Sequence, residues 1–242
     1  MSQLTWLDDH SADFPPTSSA LEDPNGLLAV GGTLSPDRLI NAYSQGIFPW
    51  YSEGQPVLWW SPSPRMALEP AKLHLGRSTK KLIRKRIFSV TVDRCFDSVI
   101  HHCAAVKRQH EDGTWITDEI MEAYAEMHRL GLAHSIETWR DGELVGGLYG
   151  INIGKAFFGE SMFSLESGAS KVAFSLLAMQ LKTWNFQLID CQIYTDYLAS
   201  FGATEMNRNK FEQKLAKAVE IPHSCKWSQQ WSMPAYGPES FE

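Results

Sequence analysis

From Ala133 the chain reads AHSIETWR, then ELVGGLYGINIG, then KAFFGESMF, three runs of period-two alternation with an Asp141-Gly142 step between the first two. Sustained alternation commits a segment to a half-buried strand, and an Asp-Gly connection of two residues commits its neighbours to an antiparallel hairpin. The centre of the molecule is therefore a locally wired antiparallel sheet. What flanks it is helical. Thr117 caps an apolar-periodic helix ending at Gly131, and a longer one runs from about Ala169 to Trp184. A short strand, QLIDCQI, follows, with two more helices around Leu198 and Phe211. Upstream, Phe88 to Val92 reads as a strand, and Asp93 is expected to cap a helix through about Ala105. Helices on a mainly antiparallel sheet make an α+β domain from residue 66 onward.

Residues 1–65 differ in kind. They are dense in Pro, Gly and Trp, and the well-marked helix there opens at Ser35-Pro36 and closes at Gly46. A small N-terminal unit, 1–65, is expected beside the larger one, 66–242. A chain of 242 residues, 43% hydrophobic and 21% charged, can bury roughly 70% of its unfolded surface, which excludes disorder and fibres. Four cysteines, Cys95, Cys103, Cys191 and Cys225, form no CxxC pair, so a reducing cytosol is the expected compartment. Neither a signal peptide nor a membrane-length apolar run is present.

The net charge is −6, which is not that of a polycation. Seven of the 22 basic residues nevertheless lie between Pro70 and Asp93, where no acid occurs, leaving 15 basic against 28 acidic residues elsewhere. Arg77, Lys80, Lys81 and Arg84 fall at three- and four-residue spacings, so a helix gathers them into one stripe suited to a phosphate backbone. The other reading is a solvated helix face. Nothing resembles a base-reading motif, so sequence-specific DNA recognition is not expected.

Two acidic positions stand out in apolar strands. Alternation in QLIDCQI places Asp190 and Gln192 on one face and Cys191 on the other, which argues against a cysteine nucleophile oriented by Asp190. A buried carboxylate costs several kcal/mol unless paired, so Asp190 either serves chemistry or caps a neighbouring loop. Glu160, behind Gly159 in FFGESMFS, either shares a cavity with Asp190 that prefers an amine, or pairs with a lysine such as Lys171. Tyr43, Phe48, Trp50, Tyr51, Trp59 and Trp60 crowd eighteen positions; most should be core, with one or two offering a face to a nucleobase. Gly154-Lys155 lacks the P-loop glycine, with Ala156 where Ser or Thr would stand, and neither HExxH nor GxSxG occurs.

Taken together, the blocks PNGLLAVGG, GIFPWYS, LWWSPSPR, GTWIT, HSIETWR, LVGGLYG, FFGESMFS and IDCQ resemble the bacterial leucyl/phenylalanyl-tRNA–protein transferase family in order and spacing, from about Pro24 to Ala203. The resemblance implies a small N-terminal domain packed on a domain similar to the acetyltransferase (GNAT-like) fold. It also implies transfer of Leu or Phe, and less well Met, from tRNA to the N-terminal Arg or Lys of a protein, marking it for degradation. Asp190 and Gln192 would handle the attacking amine, with Glu160 nearby in the acceptor site. Tyr43 and Trp50 match positions associated with the terminal adenosine, and Trp115, Phe157, Phe174 and Leu177 would form the side-chain pocket. Arg77, Lys80, Lys81 and Arg84 match the tRNA-facing strip. One departure is Tyr197, where relatives commonly have His. The resemblance implies a cytoplasmic monomer needing neither metal nor other cofactor, since an aminoacyl ester is already activated, and working without membrane or DNA.

An acetyl-CoA-dependent acyltransferase and a non-catalytic RNA-binding module are the two readings from other classes. LESGASK lacks the pyrophosphate-loop pattern the first requires, and the second leaves Asp190, Gln192 and Glu160 without a purpose.

Overall fold

The computed structural model describes residues 4–106, 114–223 and 226–232; Gly113 of the GTWIT block and Cys225 lie outside them. Among the described residues there are two sheets. The smaller, within residues 5–60, has the order β1-β2-β4-β3, from β1 (Thr5–Leu7), β2 (Leu27–Gly31), β3 (Phe48–Pro49) and β4 (Leu58–Trp60), with α1 (Pro36–Ser44) between β2 and β3. Ser35 caps α1 through the Arg38 amide, as Ser-Pro at a helix start requires.

The larger sheet has the order β11-β5-β10-β9-β8-β7-β6. Its central strands are β7 (Ala133–Arg140), β8 (Glu143–Ile153) and β9 (Ala156–Ser164), the three expected from alternation. Asp141 and Gly142 have φ of 51° and 87°, both left-handed, which is the hairpin geometry an Asp-Gly step is chosen for. On one side β6 (Ser89–Val92) completes the antiparallel run. On the other, β10 (Leu188–Gln192) lies parallel to β9, and β5 (Arg65–Leu68) and β11 (Thr204–Met206) close the edge antiparallel. Arg65, the last residue of the expected N-terminal unit, is thus the first residue of a strand in the larger sheet. The fold is α+β with a mainly antiparallel sheet.

Helices cover both faces of the larger sheet. One face carries α1, α3 (Phe96–Ala105), α4 (Asp118–Arg129) and α7 (Arg208–Val219) in an apolar cluster that also takes Leu28 and Trp59 from the smaller sheet. The other carries α2 (Arg77–Arg84), α5 (Ala169–Thr183), α6 (Asp196–Ala199) and α8 (Trp227–Gln230) around Ile136, Leu148, Phe157, Phe174 and Leu177. Thr117 caps α4 through Ile120, as its sequence required. Asp93 does not cap α3. It sits at φ 55° with its carboxylate on the Ser135 amide at 3.0 Å and on His134 Nδ1 at 2.8 Å. The amides entering α3, those of Arg94 and Cys95, donate instead to the buried Glu137 of β7, at 3.2 and 3.4 Å. A carboxylate from a distant strand outcompetes the local one because four donors converge on it, the Thr91 and Ser135 hydroxyls included. Among the described residues, no helix is long and apolar enough to cross a membrane.

Candidate active site

The parallel pair β9–β10 brings Phe158 opposite Asp190. Immediately afterwards β10 departs from its alternation. Its register against β5 slips between Asp190 and Gln192, and Gln192 adopts φ 61°. The extra residue is Cys191, so this is a bulge, the device that re-aims a side chain at the end of a strand. The re-aimed side chain is Gln192, whose amide donates to Glu160 Oε1 at 3.0 Å. Its backbone N–H donates to Asp190 Oδ1 at 2.9 Å, so Asp190 holds Gln192 through the main chain.

Asp190 is fully buried and both its oxygens are taken by Arg65, Nε to Oδ1 at 2.8 Å and Nη2 to Oδ2 at 2.6 Å. The guanidinium lies over the rings of Phe48 and Phe211, 4.7 and 4.9 Å from their centroids. A bidentate pair flanked by aromatic faces is the arrangement in which buried opposite charges are best compensated. Asp190 is thus a carboxylate paired to Arg65 that also holds the main chain of Gln192. The sequence by itself does not single out Arg65 or Tyr124. The available signal was that Arg65 and Asp190 are opposite charges, each alone in an apolar strand, and each needing the other.

Glu160 takes no lysine. Its Oε2 accepts from the Tyr124 hydroxyl at 3.1 Å, and the Tyr124 hydroxyl in turn shares a short hydrogen bond with that of Tyr43. Lys171 stands over the ring of Tyr197, whose hydroxyl bonds Ser170. Burial pushes the Glu160 carboxyl up to about 7, with the Asp190 charge adding to it and the tyrosine hydroxyls and Arg65 opposing. Near neutral pH this group takes and returns a proton readily. Burial also holds the Cys191 thiol well above its ordinary range, so it is not a nucleophile.

Two cavities meet at these residues. One, about 220 Å³, is walled by Leu148, Phe157, Met162, Phe174, Ile189 and Leu198. The other, about 390 Å³, has Phe48, Trp50, Trp115 and Ile193 on its wall. Glu160, Cys191, Gln192 and Leu198 line both. Phe157 and Phe174 thus line the apolar cavity. Trp115 does not; it faces the second cavity with Trp50. Leu177 is buried in the same apolar core without lining the cavity. Tyr43 is fully buried, its ring against Phe158, so it has no face to offer a base and reaches the site only through its hydroxyl. On α2, Arg77, Lys81 and Arg84 are exposed and Lys80 half-buried, with Thr79 and Ile83 turned inward, which makes the stripe expected from their spacing.

A family model described as leucyl/phenylalanyl-tRNA protein transferase matches residues 67–216, and one for the N-terminal domain of the same enzymes matches residues 32–63. The chain belongs to the leucyl/phenylalanyl-tRNA–protein transferase family. It is 58% identical to the transferase of Saccharophagus degradans, covering 98% of this chain and 99% of that one. It is 62% identical to that of Teredinibacter turnerae, covering 90% and 85%. Among solved structures, a functionally unknown conserved protein from Staphylococcus epidermidis matches with a TM-score of 0.40 at 16% identity, covering 59% of this chain and 56% of that one; a likeness so remote carries no functional weight. Membership makes the chain an aminoacyltransferase that works between an aminoacyl-tRNA and a protein acceptor.

Proposed function

We propose that the apolar cavity holds the side chain of the transferred Leu or Phe, and less well Met, and that the acceptor is the N-terminal Arg or Lys of a cytoplasmic protein, marked thereby for degradation. The observation that carries this is the meeting of two cavities of different character at Glu160 and Gln192. A cavity of roughly 150 Å³ accommodates a benzene ring. The 220 Å³ here is sufficient for a phenyl or isobutyl group; of the acids that line it, Asp190 is already paired with Arg65 and Glu160 is bonded to Tyr124 and Gln192, and no cationic side chain lines it to meet an acidic one. The wider cavity, with Trp50 and Trp115, suits the terminal adenosine, and the stripe on α2 suits the acceptor-stem phosphates.

In this reading the α-amine attacks the ester carbonyl, the new C–N bond forms, and the bond to the ribose oxygen breaks. The amine must lose a proton and the ribose oxygen must gain one. Glu160, poised near neutrality and bridged to Gln192, is the group placed to take the first and return the second. Asp190 and Arg65 keep Gln192 on station. Because the ester is already activated, alignment and proton transfer account for the chemistry. Single-turnover transfer from Leu-, Phe- and Met-tRNA to an Arg-starting peptide, without ATP or acetyl-CoA, tests the reading. Efficient transfer of Asp or Lys from misacylated tRNA would contradict an apolar pocket.

The acetyl-CoA reading needs free amides at the start of α5. There the Ala169 amide donates to Glu166 O at 3.1 Å and that of Ser170 to Ser164 Oγ at 3.3 Å, so those donors are already engaged.

A further inference from the structure

Phe157 lines the apolar cavity, and its ring is itself held in place from two sides. Beneath it, on β8, is Gly150. A Cβ at that position would come within 2.5 Å of Phe157 Cζ, so the ring occupies space that any other residue would claim. Behind it stands Trp227 of α8, only 2% exposed, with its centroid 5.7 Å from that of Phe157 at an interplanar angle of 33°. Trp227 does not line the cavity. It is nonetheless held on several sides. Its ring stacks on His134 at 4.0 Å and 7°, meets Trp184 edge-on at 5.1 Å, and donates its indole N–H to Asn152 Oδ1 at 3.3 Å. His134 is held in turn by Asp93 at 2.8 Å.

We infer that Trp227 is a positioning residue for substrate specificity: it sets the depth of the cavity, and hence the largest side chain transferred, by preventing Phe157 from falling back. The inference deepens the proposed function and rests on its assignment of this cavity to the aminoacyl side chain. The physical reason is that a close-packed interior transmits the removal of a backing ring to the surface it supports. A size change of about one methylene in an apolar pocket alters discrimination by roughly 10- to 200-fold.

The test compares Trp227→Leu and Trp227→Phe with the unaltered chain in single-turnover transfer from tRNA charged with Leu, Phe or Trp to an Arg-starting peptide. The ratio of Trp to Leu transfer should rise about tenfold in Trp227→Leu and by less in Trp227→Phe. A purely stabilising role lowers all three rates by one factor, so an unchanged ratio in a folded variant overturns the inference. If melting shows that Trp227→Leu does not fold, the ratio in Trp227→Phe decides by the same criterion. Gly159→Ala separates this from failure of the underlying reading. Gly159 lines the cavity, and a Cβ there meets only the Asp190 carbonyl, at 3.6 Å, so the added methyl narrows the wall and should disfavour Phe against Leu. If Gly159→Ala shifts preference and Trp227 does not, the pocket stands and the backing role falls; if neither does, both fall.

Discussion

The two halves of the larger sheet are made in different ways. From β6 to β9 every neighbour in the sheet is antiparallel and most are consecutive in the chain, joined by tight turns. From β9 to β11 the strands come from residues 65–68, 188–192 and 204–206, and the pairing begins with a parallel contact and a bulge. Of the hairpin strands it is β9, the one that borders the seam, that carries Glu160 and Phe157. The site lies at the seam, where distant segments meet and alternation fails. Local pairing fixes side-chain direction by period alone, whereas a seam lets one residue, Gln192, be re-aimed by an insertion.

If that contrast is right, damage at the seam should cost far more than damage in the hairpins. Arg65→Met leaves the Asp190 charge buried without its partner, and unfolding stability in urea should fall by about 3–5 kcal/mol. Adding Asp190→Leu should recover much of that loss but none of the transfer activity, because Gln192 then lacks its anchor. Asp190→Asn should retain tRNA affinity and slow single-turnover transfer by about a hundredfold. A folded Asp190→Asn protein transferring at the unaltered rate would reduce the Arg65–Asp190 pair to a structural clasp.

Glu160 sharpens the comparison through pH. Its carboxyl titrates at about 7 when folded, against an ordinary value of 4.5. Between those values the folded protein keeps a proton that the unfolded chain has released. This group's contribution is therefore most favourable below the window and declines as pH rises through it, by on the order of 3 kcal/mol. Glu160→Gln removes the decline, so relative to the unaltered chain it should be more stable at pH 8 than at pH 4, while losing the limb of the transfer rate that rises near pH 7. Equal pH dependence of the two proteins in urea denaturation would show that Glu160 is not held in this way.

In the hairpin half the expected effect is smaller. Gly142→Ala places a side chain at φ 87° and should cost about 1 kcal/mol, with the transfer rate of the folded protein unchanged. Outside both halves, Lys80→Ala with Arg84→Ala on α2 should leave chemistry intact and lower the slope of log affinity for tRNA against log salt by about 0.7–0.9 per lost contact. An unchanged slope would return the stripe to a solvated face.

Much of this molecule is legible in the sequence alone. The strands from Ala133 to Ser164, the capped starts at Ser35 and Thr117, the basic stripe, and the candidacy of Asp190, Gln192 and Glu160 follow from period, turn chemistry, spacing and the family's motifs. Each of those is a property of contiguous residues or of short blocks. Asp93 shows where local reading stops. It has the right type and place for a helix cap, yet Glu137, more than forty positions away, takes the amides. The same holds at the site. Which charge neutralises Asp190, which side of the wall Trp115 faces, that Tyr43 is sealed behind Phe158, and that Trp227 backs Phe157 are all set by packing between segments remote in sequence. Burial, and with it the raised pKa of Glu160, exists only once those segments have closed around it, so the tertiary structure alone decides how these residues divide the work.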